Sequence, residues 1–252
     1  MVALKELVDY TNELLNVTSF TDYCPNGLQV EGRAEVGLLV SGVSASLALI
    51  EAAAAAGADA LLVHHGWFWK GDSPCVTGML RRRLKLLLDA DISLLAYHLP
   101  LDAHPEFGNN TQLARVLGLE PAGCFGDDGG LQLAQYGSLA RPLDAAGFCE
   151  YLESSLGRSP LHIAGSAPQI ERIGWCTGAA QSYITAAAAR GLDAFVSGEV
   201  SEQTVHVARE TGIHYFAAGH HATERFGACA LGEHLAGRFG LHHRFIDIDN
   251  PV

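Results

Sequence analysis

The sequence predicts an α/β protein made of two related halves, in which mostly parallel strands are flanked by helices. Short apolar runs alternate with helical segments along the chain, and this β-α-β order implies parallel strands joined by right-handed crossovers. The same succession of segments returns in the second part of the chain, which indicates an internal duplication.

The composition is that of a globular protein. Of the 252 residues, 48% are hydrophobic and 17% are charged, so the chain can bury a substantial core. The formal net charge of −12 argues against binding to nucleic acid or to anionic membranes. The six cysteines are scattered without a C-x-x-C pair, and the sequence lacks a membrane-spanning run and the apolar core of a signal peptide. We therefore expect a cytoplasmic protein with reduced thiols and no membrane partner.

In the first half, a turn is expected at Pro25-Asn26-Gly27. Two strands follow it, and an alanine-rich helix is expected between these strands. Ser44 or Ser46 is the expected N-cap of this helix, and Gly57 its expected end. The segments expected in order are helix 4–15, strand 37–43, the helix up to residue 56, strand 60–63, helix 81–88, strand 92–97 and a helix through residue 117.

A glycine- and aspartate-rich loop at residues 126–130 marks the expected boundary between the halves. We assign residues 1–128 to the first half and 129–252 to the second, the two forming one compact unit. A less regular section around residues 131–168 is expected to belong to the join, with a helix at 143–156 whose N-cap region includes Asp144. Beyond it we expect strands near 173–176, 192–197 and 213–218 and an alanine-rich helix that ends near residue 190.

Two correspondences support the duplication. Gly57-Ala58-Asp59-Ala60 matches Gly191-Leu192-Asp193-Ala194 at a shift of 134 residues. The pattern His-x-x-x-Asp/Glu follows an apolar run twice, at His98 and at His220, with a shift of 122 residues. The change in shift implies a loop that is longer in the first half, and residues 67–77 are the candidate segment.

Three strand ends carry residues that could bind a metal: His64-His65, His98 with Asp102, and His220-His221 with Glu224. Each segment alone could equally be a hydrogen-bonded turn or a helix cap. Together they supply imidazole and carboxylate ligands, which suit zinc, manganese or iron. Even five ligands from these strand ends would exceed what one catalytic zinc takes from a protein. A bridging carboxylate could therefore hold two ions roughly 3.5–4 Å apart.

Four separated motifs resemble those of the NIF-three-like proteins, also labelled GTP cyclohydrolase I type 2 homologs. The motifs are Pro25-Asn26-Gly27-Leu28-Gln29-Val30, His64-His65-Gly66, His98-Leu99-Pro100-Leu101-Asp102 and Gly219-His220-His221-Ala222-Thr223-Glu224. The resemblance extends from the N-terminal helix to Phe245-Ile246-Asp247-Ile248-Asp249-Asn250-Pro251 and so covers nearly the whole chain.

This resemblance implies a duplicated α/β fold, two divalent metal ions per chain (zinc, iron, manganese or nickel) and a toroidal homohexamer. The implied metal ligands are His64, His65, Asp102, His220 and Glu224, with Glu224 as the bridge. His98 would lie close by, either as a residue that supports the metal ligands or as a catalytic group that transfers protons. Neither this resemblance nor the spacing assigns a role to His221.

The resemblance also implies a metal-dependent hydrolase that acts through a metal-activated water on a nucleotide-like or heterocyclic substrate. The chain has no P-loop, and Arg225 and the basic run Arg81-Arg82-Arg83-Leu84-Lys85 are the candidate phosphate contacts. The basic run could equally be a solvated helix face. Two alternatives remain open: a metal-trafficking or metal-storage protein without turnover, and an interaction protein in which the metals only stabilise the fold. The other histidines are expected to be structural or superficial: His104, His162, His206, His214, His234, His242 and His243.

Overall fold

The computed structural model describes residues 1–126 and 132–252. These residues form two compact units: Met1–Gly108 with Arg225–Asp249, and Asn109–Glu224 with Asn250–Val252. The predicted loop at 126–130 lies almost wholly outside the described residues, and the predicted boundary at 128–129 lies wholly outside them. The chain passes from the first unit to the second at Gly108 and Asn109.

The elements are numbered along the chain. The strands are β1 (Val2–Ala3), β2 (Gly27–Val30), β3 (Glu35–Val36), β4 (Leu38–Ser44), β5 (Ala60–His65), β6 (Ser93–Ala96), β7 (Leu119–Phe125), β8 (Ala134–Leu143), β9 (Leu161–Ile163), β10 (Ile170–Cys176), β11 (Ala194–Ser197), β12 (His214–Ala217) and β13 (His242–Phe245). The helices are α1 (Leu4–Leu14), α2 (Leu47–Ala55), α3 (Gly78–Asp89), α4 (Leu99–Ala103), α5 (Asn109–Val116), α6 (Ala145–Leu156), α7 (Ile184–Ala189), α8 (Glu202–Thr211) and α9 (His220–Phe239). None of these helices is long and apolar enough to cross a membrane.

The first unit is built on a five-stranded sheet of order β13-β4-β5-β6-β2. The pairs from β13 to β6 are parallel, and β2 adds an antiparallel edge. Leu62 and Leu95 belong to one buried cluster, which also contains residues of α1 and α9. Leu61 and Leu94 belong to a second, with residues of α2 and α3. Burial on both faces explains why β5 and β6 are continuous apolar runs in the sequence.

The second unit contains a six-stranded sheet of order β7-β8-β10-β11-β12-β9. Only β10, β11 and β12 pair in parallel, and the remaining three pairings are antiparallel. Residues 132–168, which we expected to be an irregular join, supply β8, α6 and β9 to this unit. The helix was predicted and the two strands were not, since β8 pairs along most of its length with both neighbours while remaining only partly buried.

The topology confirms the duplication and the predicted fold class. In each unit three parallel strands are joined by helices, and an earlier strand of the chain, β2 in the first unit and β9 in the second, pairs antiparallel with the third. Asp59 accepts hydrogen bonds from the backbone N–H groups of Gly37 and Leu38, each at 2.8 Å. Asp193, its counterpart, accepts from the N–H groups of Glu171 and Arg172 at 3.0 and 2.8 Å. The matching aspartates therefore perform the same structural task in both units.

Local signals fixed several element boundaries. Ser46 caps α2 by accepting a hydrogen bond from the N–H of Leu49 at 3.2 Å, and Asp144 caps α6 by accepting from Gly147 at 2.8 Å. The end of β5 differs from the prediction and includes the histidine pair. We predicted that β5 ends at Val63, but the strand continues through His65, which pairs with Ser44 of β4.

Candidate metal centre

The last two residues of β5 are the predicted histidine pair, and neighbours along a strand point to opposite faces. His64 is fully buried, and its Nδ1 lies 2.9 Å from the carbonyl oxygen of Tyr97. A carbonyl oxygen only accepts hydrogen bonds, so Nδ1 carries the proton and Nε2 carries a lone pair. His65 is half-buried, and its Nδ1 lies 3.1 Å from the hydroxyl oxygen of Ser44. Each ring is thus oriented by a neighbouring oxygen.

Asp102 lies on the short helix α4, which begins directly after β6 and His98. Its N–H donates to the carbonyl oxygen of His98 at 3.0 Å, and this single helical turn places the carboxylate beside the end of β5. Asp102 Oδ1 lies 3.5 Å from His64 Nε2, and the aspartate is only 8% exposed. The His-x-x-x-Asp spacing therefore brings a carboxylate, as well as a histidine, next to the histidine pair.

The donor chemistry of this cluster fits a divalent cation. His64 Nε2 and Asp102 Oδ1 face each other in a buried place, where a proton or a cation between them would join the two groups. His98 and His65 each offer a ring nitrogen within 4.8 Å of that of His64. Imidazole nitrogens with a carboxylate oxygen form a usual ligand set for zinc, iron or manganese.

In the second unit, His220 and Glu224 occupy the first two turns of α9, four residues apart on one face. His220 Nε2 lies 3.0 Å from Glu224 Oε2, and His220 Nδ1 lies 2.7 Å from Glu199 Oε1. Burial of the ring opposes its charged form, but the hydrogen bonds and charges of Glu224 and Glu199 outweigh this and raise the pKa of His220 to about 9. The site therefore favours a positive charge, which in a holo-protein a metal ion can supply in place of the proton.

Glycine is required beside this pair. Gly178 adopts a left-handed backbone with φ of +67°, and a Cβ there would overlap the carboxylate of Glu224 and lie 3.2 Å from His220 Nε2. The Gly178 N–H donates to the Thr223 hydroxyl at 3.1 Å, which fixes the loop after β10 against the start of α9. Glu224 is only 3% exposed, and its carboxylate lies close to the backbone of Gly178.

Four residues that shape these clusters were not predicted as site residues: Asp22, Asn26, Gln29 and Glu199. Asn26 Oδ1 accepts a hydrogen bond from the N–H of His98 at 2.7 Å. Gln29 binds the backbone N–H and carbonyl of Trp67 at 2.7 and 3.1 Å and so holds the loop after β5. Asn26 and Gln29 both belong to the motif Pro25-Asn26-Gly27-Leu28-Gln29, so the sequence did point to them, although we interpreted Pro25-Asn26-Gly27 as a turn. Asp22 and Glu199 had no signal, because neither has ligand spacing to a histidine along the chain.

The candidate phosphate contacts have other partners or lie on the surface. Arg225 Nη1 lies 3.3 Å from Asp247 Oδ2. In the basic run of α3, Arg81, Arg82 and Lys85 are exposed, and Lys85 pairs with Asp89 one turn along. These contacts suit the interpretation of the run as a solvated helix face.

The other histidines mostly have structural surroundings. His162 and His214 share a contact at 3.0 Å, His234 bonds to the hydroxyl of Tyr10 at 2.7 Å, and His243 to that of Ser41 at 2.8 Å. His104 Nδ1 accepts from two backbone N–H groups of its own loop, His206 is 62% exposed, and His242 lies exposed on β13. The backbone N–H of His221 donates to the carbonyl oxygen of Val252 at 3.0 Å.

Comparison with known proteins places this geometry in a family. A family model described as Duf34/NIF3 (NGG1p interacting factor 3) matches residues 2–251. A Pseudomonas aeruginosa protein named GTP cyclohydrolase 1 type 2 homolog is 57% identical over 251 residues, which cover 100% of this chain and 99% of the relative. The solved structure of a protein called ybgI, described as of unknown function, has a TM-score of 0.96 at 50% identity. That of the Thermus thermophilus protein TTHA1606 has 0.89 at 34% identity, and both alignments cover 100% of each chain.

Proposed function

The chain belongs to the Duf34/NIF3 family, and from this premise we propose that it is a metal-dependent hydrolase with two divalent ions. The ions would be held by His64, His65 and Asp102 of the first unit and by His220 and Glu224 of the second. The observation that carries the proposal is the buried pair of acceptors, His64 Nε2 and Asp102 Oδ1, 3.5 Å apart. A proton or a cation can join these two groups, and the ring nitrogens of His65 and His98 near His64 support a cation.

When bound, the ions would lower the pKa of a water molecule so that it can act as a nucleophile at neutral pH. The residues of the chain have the remaining tasks. Tyr97 and Ser44 orient the two histidines of β5 through the hydrogen bonds of their Nδ1 atoms. His98, whose ring centroid lies 5.1 Å from that of His64, is the group we propose to accept and return the proton of the reaction.

The substrate we propose is a nucleotide-like or heterocyclic compound. Its support is the name of the relatives, GTP cyclohydrolase 1 type 2 homolog, together with a ligand set that suits hydrolytic metal ions. The chain offers no glycine-rich phosphate cradle, so we expect recognition to depend on the ring and the metal ions more than on the phosphates. We also propose that the protein assembles as a homohexamer, which light scattering would detect as six times the mass of the chain.

Metal content and turnover together test the proposal. Protein reconstituted with zinc, manganese, iron or nickel should bind two ions per chain and hydrolyse at least one member of a panel of nucleotides and related heterocycles. Asp102→Asn keeps the shape of the side chain but removes its charge, and we expect it to lose both metal and turnover. His206→Asn, at an exposed histidine of α8, is the matched control and should retain both.

Two results would contradict the proposal. Fewer than one ion per chain after reconstitution would exclude a two-metal protein. Two ions without turnover on any substrate, combined with stoichiometric transfer of metal to an acceptor, would support metal trafficking in place of hydrolysis.

A further inference from the structure

A buried carboxylate outside the predicted ligand set is bound to the proposed proton-transfer group. Asp22 Oδ1 lies 2.8 Å from His98 Nδ1, and the two side chains are 3% and 15% exposed. Asp22 lies in the turn before β2, 76 residues before His98 in the chain. The fold, and not local spacing, thus brings this carboxylate to the ring of His98.

The orientation of Asp22 is determined by three further hydrogen bonds. Its Oδ1 accepts from the N–H of Tyr23 at 2.6 Å. Its Oδ2 accepts from the N–H of Leu99 at 3.0 Å and from the side-chain amide of Asn26 at 2.8 Å. Asn26 in turn accepts from the N–H of His98 at 2.7 Å. Ring and backbone of His98 are therefore held by one preorganised segment, residues 22–26.

This contact determines which nitrogen of His98 is available for chemistry. An ionised carboxylate only accepts hydrogen bonds, so Nδ1 carries a proton and Nε2 is the nitrogen with a lone pair. The ring lies among the rings of His64, His65 and Trp69, at centroid distances of 5.1, 5.8 and 5.0 Å. The hydrogen bonds of Asp22 lower its own pKa to about 2 in spite of its burial, so the carboxylate is charged at neutral pH.

In the second unit a carboxylate also bonds to the Nδ1 of a histidine, but this carboxylate comes from a different part of the fold. Glu199 Oε1 lies 2.7 Å from Nδ1 of His220, the counterpart of His98. A shift of 134 residues relates β4 and β5 to β10 and β11, and at this shift Glu199 corresponds to His65. Asp22, in contrast, lies before β2. Each histidine follows the third parallel strand of its unit, whereas the two carboxylate partners come from different elements. A contact that was simply inherited from a common ancestor would use matching positions, so the recurrence indicates a functional requirement.

We propose that Asp22 is a positioning residue that fixes His98 in the Nδ1–H tautomer and directs its Nε2 toward the reacting water. In the proposed reaction the water gives its proton to Nε2, the resulting imidazolium is stabilised by Asp22, and the same proton passes from Nε2 to the leaving group. Asp22 itself neither gains nor loses a proton. This role rests on the proposed hydrolase function, whereas the tautomer itself can be measured without it.

The tautomer is measured on the metal-free full-length protein by ¹H–¹⁵N NMR with ¹⁵N-labelled histidine, at about pH 9, above the ordinary pKa of imidazole. The His98 signals are assigned by their loss in His98→Gln. We expect a protonated Nδ1 in the wild type, a shift of the proton to Nε2 in Asp22→Ala, and the wild-type pattern in the control Asp89→Ala, at an exposed aspartate of α3. An unprotonated Nδ1 in the wild type, or an unchanged pattern in Asp22→Ala, would overturn the proposal. If Asp22→Ala does not fold, Asp22→Asn replaces it: its one acceptor oxygen can keep two of the four hydrogen bonds, and we expect the Nδ1–H signal of His98 to shift because the acceptor has lost its charge. An unshifted signal would overturn the proposal.

Kinetics of the metal-loaded protein test the consequence. Removing an orienting partner of this kind costs about 10–100-fold in activity, and we expect this loss in kcat, with KM near that of the wild type and a changed pH–rate profile. Asp89→Ala should keep the wild-type profile. Absence of turnover in the wild type would refute the hydrolase proposal and leave the tautomer result to decide the role of Asp22. Turnover in the wild type with an unaffected kcat in Asp22→Ala would refute the positioning role alone.

Discussion

At the scale of single residues, the side chains that cluster at the strand ends could be predicted, but the groups that orient them could not. His64, His98, Asp102 and Glu224 are recognisable because each follows an apolar run or lies four residues from a partner. The orienting contacts join residues far apart in sequence, such as the 33 residues between His64 and the Tyr97 carbonyl. Such pairs form only when parallel strands align, and nothing in local spacing encodes them.

Gly178 offers a residue-scale prediction with an internal control. Gly178→Ala places a Cβ in a left-handed conformation beside Glu224 and His220, so we expect the free energy of unfolding to fall by about 1–2 kcal/mol or more. Gly237→Ala, in helix α9, meets nothing within 4 Å and should raise it by about 0.5–1 kcal/mol. Urea unfolding of the metal-free proteins measures both changes, and equal effects would show that the surroundings of Gly178 tolerate a side chain.

At the scale of elements, the parallel core was predictable and the antiparallel strands were not. Strands β5 and β11 are buried on both faces, so each is a short apolar run between turn signals. In contrast, β7 and β8 expose many of their residues, and their sequences contain prolines and glycines that resemble loops. Long-range pairing stabilises these strands where their own composition does not.

The antiparallel pair β9 and β12 gives a prediction for pH. Burial, and then the nearby charge of His214, lower the pKa of His162 below its usual 6.5. The unfolded chain therefore takes up this proton first as the pH falls, so stability is full above about pH 6.5 and decreases below it until the folded pKa is reached. His162→Phe preserves the stacking on Phe216, whose ring centroid is 4.5 Å away, and removes the titration.

We accordingly expect His162→Phe to lose less stability than the wild type when urea unfolding is compared at about pH 7.5 and pH 5.5. His206→Asn, at the exposed histidine of α8, should behave like the wild type. A loss of the same size in His162→Phe would show that other groups, such as His243, whose pKa is also lowered by burial, account for the acid sensitivity.

At the scale of the whole molecule, duplication explains why ligand-type residues recur at the ends of strands in both units. Asp59 and Asp193 preserve the same backbone contacts, so the scaffold of the repeat has been maintained, while Glu199 now stands where the first half has His65. We infer that the strand ends diverged chemically on a conserved framework, as open α/β sheets allow because their ligands lie beyond the carboxyl ends of strands.

Metal binding should consequently appear as stability of the whole protein. An ion that binds only the folded state at 100 times its Kd adds about 2.7 kcal/mol, so Tm should rise with metal concentration in the wild type. Asp102→Asn removes the charge of the carboxylate that faces His64, so this variant should be at least as stable as the wild type without metal and should gain little on its addition. Glu224→Gln removes a negative partner of His220, so it should be less stable than the wild type without metal and should also gain little on its addition. Calorimetry with and without a chelator measures this. If the chelated wild type is unfolded at 25 °C, the ions are required for folding itself, and the structural role of the metals would be favoured over catalysis.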